Sequence, residues 1–326
     1  MEVIRDGGGW RHTEVDDATQ VGAARRQVAL VCKEAAVPAE LAARASLAAV
    51  ELATNLHKHA RRGRLFVKAT HGRAIDVVSV DHGPGMDLQR CFADGFSTTQ
   101  TSGSGLGALR RLASLFDAWS DAAGSVIFAR IGEAASLPVE YGSLAIPIRG
   151  ESVSGDQWAL RMSATGWSLV MADGLGHGPM AHAASDAVVG LGDLGVSPAQ
   201  LLTRAHVASR STRGSAAAVL RRSDPAGPLD FASVGNLQCV IHGRDEAQTL
   251  VSQNGTVGGA FPVVREQRIE VRERSLAVMH TDGLSSRWSL DRYPGLRARH
   301  PQIVCGVLFR DCYRGRDDAT LVALRS

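Results

Sequence analysis

A strand-like run that ends on a carboxylate, then a Gly-Pro-Gly turn, then a Ser/Thr/Gly loop entering an apolar helix: this succession constrains the first half of the chain most. It reads DHGPGMDLQRCFADGFSTTQTSGSGLG from Asp81 to Gly107. The glycines allow positive φ and close approach of backbone to a ligand. The N–H groups that open the helix at Leu106 point toward an anion. Such a stretch builds a nucleotide site without a P-loop: the Walker pattern GxxxxGK followed by Ser or Thr is absent, and the spacing of Gly103, Gly105 and Gly107 is not the GxGxxG of a dinucleotide fold.

A Gly/Ser-rich segment alone reads as a loop, so its neighbours carry the inference. An Ala-rich helix is expected from about Asp17 to Ala36, and a second from about Ala60 back to Pro38, placed at a first helical position. In the second, Leu41, Ala45, Ala48, Leu52 and Leu56 form one apolar stripe. Glu51, Asn55 and Lys58 or His59 share a line along the edge of that stripe, where polar side chains look into a cleft. Two alternating strands joined near Gly72 follow, the second delivering Asp81 to its end, so helix and strand end should converge on the glycine turn. A strand near Ser125 to Ile131 should close this domain, and Val3 and Ile4 could open an edge strand.

With 326 residues the chain exceeds the usual single core, so two domains are expected. A net charge of +3 gives no ground for nucleic-acid binding, and Arg61, Arg62 and Arg64 read as a solvated helix end. No apolar run approaches membrane-spanning length, and the N-terminal residues do not resemble a signal peptide, so a cytoplasmic protein is expected. Five scattered cysteines without a CxxC suggest neither a disulfide framework nor a zinc site.

The first-half motifs together resemble the GHKL ATPase/kinase fold. VELATNLHKHA is similar to its N-box, VDHGPGM to its first glycine box, and GFSTTQTSGSGLGALRRLAS to its lid and second glycine box, most like the RsbT-like branch of anti-sigma-factor serine/threonine kinases. The resemblance covers about residues 1–133 and implies an α/β two-layer sandwich, a mixed sheet with helices on one face. It implies that Asn55 offers its amide oxygen to the Mg²⁺ of bound ATP, and that Glu51 orients or deprotonates a substrate hydroxyl. Asp81 would accept from the adenine amino group, with Gly83 and Gly85 closing around the base. Lys58, Ser97, Thr98, Thr99, Gly103, Gly105, Leu106 and Gly107 complete the implied nucleotide site. Arg110 or Arg111 would reach a phosphate or form a solvated basic face.

After the connector at 134–138, the second half repeats one chemical device, an aspartate beside a glycine or a turn at the end of an apolar run. VSGDQWAL carries Asp156, WSLVMADGLGHGP carries Asp173 and Gly174, LAVMHTDGLS carries Asp282, and GRDDATLVAL carries Asp317 and Asp318. Any one could be an ordinary turn. Four carboxylates converging would repel one another unless cations sit between them, and oxygen ligands without His/Cys clustering point to Mg²⁺ or Mn²⁺. With SVGN at Ser233 to Asn236 and NGTVGG at Asn254 to Gly259, these motifs resemble the SpoIIE/RsbX-like branch of PPM-type serine/threonine phosphatases over about residues 139–326. That implies an αββα sandwich in which Asp156, Asp173, Asp282, Asp317 and the Gly174 carbonyl hold two Mn²⁺ or Mg²⁺ ions. Asp318 is expected to support the site and His177 to stabilise its turn.

The expected fold class is therefore α+β in two domains. The expected function is a kinase joined to the phosphatase that reverses it, acting on a STAS-domain antagonist or stressosome-type phosphoprotein in bacterial partner switching. A sigma factor or a further regulator and a homodimer belong to the same expectation. The alternative is a first domain that binds nucleotide and a partner without transferring phosphate.

Overall fold

The computed structural model describes residues 2–5, 9–60, 62–70, 73–91, 105–243, 246–271 and 274–326. The first half contains β1 (Glu2–Arg5), β2 (Arg11–Val15), α1 (Ala18–Glu34), α2 (Ala39–His59), β3 (Gly63–Thr70), β4 (Ala74–Asp81), α3 (Leu88–Cys91), α4 (Gly105–Leu112), β5 (Leu115–Asp121) and β6 (Gly124–Ile131). The second half begins with β7 (Glu140–Ile146), β8 (Asp156–Met162), β9 (Trp167–Gly174), α5 (Gly178–Val189), α6 (Pro198–Ala208), β10 (Ser215–Arg222) and β11 (Leu229–Val234). It ends with β12 (Gln238–His242), β13 (Ala247–Leu250), β14 (Gln267–Ile269), β15 (Leu276–His280), α7 (Pro301–Cys312) and β16 (Ala319–Arg325). Among the described residues no helix is long and apolar enough to cross a membrane, and all five cysteines are free.

The chain divides into two compact units. One comprises Gly9–Ser136 with Ser289–Asp311; the other comprises the N-terminal segment that carries β1, Leu137–Trp288 and Cys312–Ser326. Two segments thus fall outside the 1–133 and 139–326 division read from the sequence. The edge strand expected at Val3 and Ile4 exists, but it pairs with β8 of the second unit, where Ile4 joins the core. Residues 289–311 belong to the first unit because its sheet has two apolar faces to cover.

That sheet runs β2-β3-β4-β6-β5. Every pairing in it is antiparallel, not mixed as the resemblance implies, because β5 hairpins back onto β6 and β6 takes the place beside β4. Leu65, Val67, Ile75, Val77, Ile127 and Ala129 pack on α1 and α2 through Ala24, Val28, Ala45, Leu52 and Leu56. Asp17 caps α1 in a capping box with Gln20. Pro38, with ψ 143°, stands at the N-cap of α2, one place ahead of the first helical position. The alternate residues make the opposite face. There Phe66 meets Phe309 edge-on at 5.2 Å and Phe128 lies 5.1 Å from the His300 ring. Asp76, on the same face, is held by Arg130 at 2.6 and 2.8 Å. β4 is consequently buried at all eight positions, where the sequence suggested alternation.

In the second unit, sheets β1-β8-β9-β10-β11-β14 and β13-β12-β15-β16-β7 stack face to face. Trp158, Leu160, Met171, Leu220 and Phe231 from one meet Cys239, Ile241, Met279, Val322 and Leu324 from the other. The outer face of the first sheet, through Ala159, Val170, Ala217 and Val219, buries Val188 of α5 and Leu201, Leu202 and Ala205 of α6. This is the layered sandwich the sequence suggested, with turns between strands that carry aspartates.

Candidate functional site

The first unit brings α2, the end of β4 and the start of α4 together. Ala45, Ala48, Leu52 and Leu56 anchor α2 in the core, so Glu51 and Asn55, on the neighbouring line of the helix, are left half-buried at its edge. A side chain on Gly105 would collide with the Glu51 carboxylate, which places Glu51 at the opening turn of α4, where a negative charge is favoured by the helix dipole. Leu106 and Gly107 follow in that turn, and Lys58 is exposed in the last turn of α2. Ser97, Thr98, Thr99 and Gly103 lie outside the described residues. Arg110 and Arg111 are exposed in the last turn of α4.

Asp81 ends β4 with its carboxylate buried. Its Oδ1 accepts from Gly83 N at 2.6 Å and from Ser125 N at 3.3 Å. Burial pushes its pKa up, and these two bonds partly oppose the rise. Gly83 is pressed between the His59 carbonyl and Asp81, so the C-terminus of α2 and the end of β4 do meet at the glycine turn. Gly85 takes φ 78° against the Asp121 carbonyl, where any Cβ would collide.

Sequence reasoning missed Arg310. From α7 it donates to the Gly124 carbonyl at 2.9 Å and to Asp121 at 2.9 Å, while its own carbonyl lies 3.1 Å from Nε2 of His82, beside Asp81. Burial would raise the pKa of Asp121, but hydrogen bonds from Arg310, Trp119 and Ala123 outweigh it and leave the carboxyl below its usual value. An arginine in a long apolar run was a signal that a buried acid or carbonyl awaited it.

In the second unit the carboxylates come from both sheets. Strand register sets Asp156 directly opposite Asp173 on β8 and β9. Asp156 accepts from Thr281 Oγ1 at 2.7 Å through Oδ2, while its buried Oδ1 has no hydrogen-bond partner among the described residues. Thr281 is itself fixed by Thr320, whose N–H donates to its hydroxyl at 3.0 Å. Asp282 follows Thr281 and accepts from the Asn236 amide at 2.6 Å, so the SVGN turn holds one of the aspartates. Asp317 accepts from Asp318 N at 2.9 Å. Gly283 packs against the Asp318 carbonyl too closely for any side chain, and Gly174 does the same against Ala181.

Electrostatics mark these groups as neighbours. Asp156 is pushed well above the ordinary carboxyl value by burial and then by Asp173. Asp173 is raised to about 7, by burial first and then by Asp282 and Asp317. Burial and Asp317 raise Asp282, with Arg314 opposing. Among the described residues no three His, Cys, Asp or Glu side chains are already drawn up as a ligand cage. The donor set still fits a hard cation: all oxygens, mutually repelling, with a buried carboxylate oxygen that no donor among the described residues satisfies. Asp318 fastens the surrounding loops, accepting from Ile148 N and Gly155 N at 2.6 Å each, and its charge adds to the rise of Asp156 and Asp173. His177 stands at the N-cap of α5 with Nδ1 2.6 Å from Glu151, a turn contact.

Comparison with known proteins places each half. The model of the histidine kinase-like ATPase domain matches residues 15–131, and that of stage II sporulation protein E (SpoIIE) matches residues 163–326. The serine/threonine-protein kinase RsbT of Bacillus subtilis (strain 168) is 33% identical over 94 residues, 28% of this chain and 71% of RsbT. The phosphoserine phosphatase RsbX of the same organism is 25% identical over 139 residues, 42% of this chain and 70% of RsbX. A solved structure from work on the bacterial stressosome superposes with a TM-score of 0.52 at 22% identity, covering 58% of this chain and 100% of that one.

Proposed function

This chain belongs to the SpoIIE phosphatase family through its second half and to the RsbT-type histidine kinase-like ATPase family through its first, and from that premise we propose a two-headed regulator that phosphorylates and dephosphorylates a protein serine or threonine. The observation that carries the hydrolytic reading is Asp173, which strand register sets opposite Asp156 and whose carboxyl is raised to about 7 by burial and by the charges of Asp282 and Asp317. These four and the Gly174 carbonyl would hold two Mg²⁺ or Mn²⁺ ions. Such a pair supplies Lewis acidity and charge neutralisation for hydrolysis of a phosphate ester. Around it, Asn236 orients Asp282, Thr281 orients Asp156, and Asp318 keeps the loops at Ile148 and Gly155 in place.

In the first unit Asp81 is suited to an adenine amino group, since Gly83 and Ser125 occupy only its Oδ1. Asn55 would meet the Mg²⁺ of ATP. Glu51, beside the opening turn of α4, would accept the proton of the attacking hydroxyl. The proposed substrate is a STAS-domain antagonist or stressosome-type protein, a class suggested by the kinship with RsbT and RsbX.

The test uses labelled ATP, Mg²⁺ and a STAS protein, with Asp282→Asn to block hydrolysis. Label should accumulate on the target and disappear when Glu51→Ala is added. ATP binding without transfer would reject the kinase head and leave a docking module.

A further inference from the structure

The carboxylate centre has basic walls. An open pocket of about 430 Å³ beside it is lined by Asp282, Gly283, Arg314, Arg316 and Asp317. The two arginines flank Gly315, which takes φ 68°, and both are exposed. Their backbone is anchored to the segment that follows Asp282. Arg314 N donates to the Gly283 carbonyl at 3.0 Å, Ser285 N donates to the Cys312 carbonyl at 2.8 Å, and Leu284 bridges Tyr313. The exposed Arg213 lies over Gly176, in the turn that follows Asp173.

Four aspartates carry four negative charges and two divalent ions carry four positive ones, so a loaded centre is close to neutral. Attraction for a phosphate dianion must then come from its surroundings. Guanidinium groups suit this, since their paired N–H donors match two phosphate oxygens. Resting on the hydrolytic reading above, we propose that Arg314 and Arg316 are the phosphate-binding wall of this site. They position a dianionic phosphoserine or phosphothreonine and select it over less charged esters.

The test compares Arg314→Ala, Arg316→Ala, the double variant and the corresponding lysine variants. Hydrolysis of a phosphoserine peptide would be followed as KM and kcat separately, with binding of inorganic phosphate by calorimetry and of Mn²⁺ by electron paramagnetic resonance. The double alanine variant should raise KM and weaken phosphate binding by roughly 10- to 100-fold, the scale of one or two charge-assisted contacts, with the larger loss in KM. Lysine should restore part of this. Mn²⁺ should bind as tightly or tighter, because two repelling charges have gone, whereas a merely structural role would loosen it. Unchanged phosphate affinity, or a loss confined to kcat, overturns the assignment. Asp173→Asn serves as the control on the hydrolytic reading: if it keeps full phosphatase activity, that reading fails whatever the arginines do.

Discussion

The two units assemble their polar centres in opposite ways. In the first, Glu51, Asn55, Asp81, Gly83 and Gly105 lie within 55 consecutive residues, on α2, on the end of β4 with its turn, and at the start of α4. In the second, Asp156, Asp173, Asp282 and Asp317 are spread over 162 residues and drawn from two stacked sheets. The supporting residues reverse this order. The carboxylates are held by Thr281, Asn236, Thr320 and Asp318, all within their own half of the chain. The compact first centre depends on Arg310, which arrives from 186 residues beyond Gly124. A site close together in sequence is therefore not self-sufficient in structure.

Asp173→Asn should break the comparison most sharply. It should lower metal-dependent release of phosphate from a phosphoserine protein by roughly a thousandfold or more, since several kcal/mol of charge stabilisation are at stake. Nucleotide binding by the first unit, measured with a fluorescent ATP analogue, should stay within a factor of about two.

Arg310→Ala should strike the other unit. It leaves Asp121, Asp311 and the Gly124 carbonyl without their buried donor, at a cost of about 3–5 kcal/mol in thermal unfolding. If nucleotide affinity and unfolding temperature are both unaffected, residues 289–311 are not a structural part of the first unit.

The pH response should separate the units as well. In the absence of divalent ions Asp173 ionises near 7 in the folded state, against an ordinary value of 3.8. The folded chain then binds more protons than the unfolded one between these values, so stability falls as pH rises through that window. Mg²⁺ or Mn²⁺ should reverse the loss, by about 2.7 kcal/mol at a hundredfold excess over Kd. Scanning calorimetry with and without chelator at pH 5 and pH 8 checks this, and equal shifts at both values would contradict it.

The smallest effect is expected from Asn236→Ala. Freed from its 2.6 Å hydrogen bond, Asp282 should need roughly tenfold more metal for half-maximal activity, as outer hydrogen-bond partners of metal ligands commonly show.

Much of this was legible in the residues. The apolar stripe of α2, the strand ending at Asp81 and the four aspartates at strand ends follow from local periodicity and turn chemistry, which depend on neighbours a few residues away. The role of Asn236 was half-visible, as a polar residue in a glycine turn whose partner is 46 residues distant. The cover over Phe66 and Phe128 left only an indirect trace. Both faces of β3, β4 and β6 are apolar, which says that something must lie on the second face without saying what.

The amino-acid order by itself laid out two kinds of polar centre, one built on glycines ahead of a helix and one on carboxylates at strand ends, because turn and helix-start preferences act within a few residues. Only the tertiary structure decided which segments share a core: β1 completes the second unit's sheet, and 289–311 seals the first. Burial of apolar area is non-directional and indifferent to sequence distance, so a sheet with two apolar faces accepts whichever apolar helix the rest of the fold delivers to it.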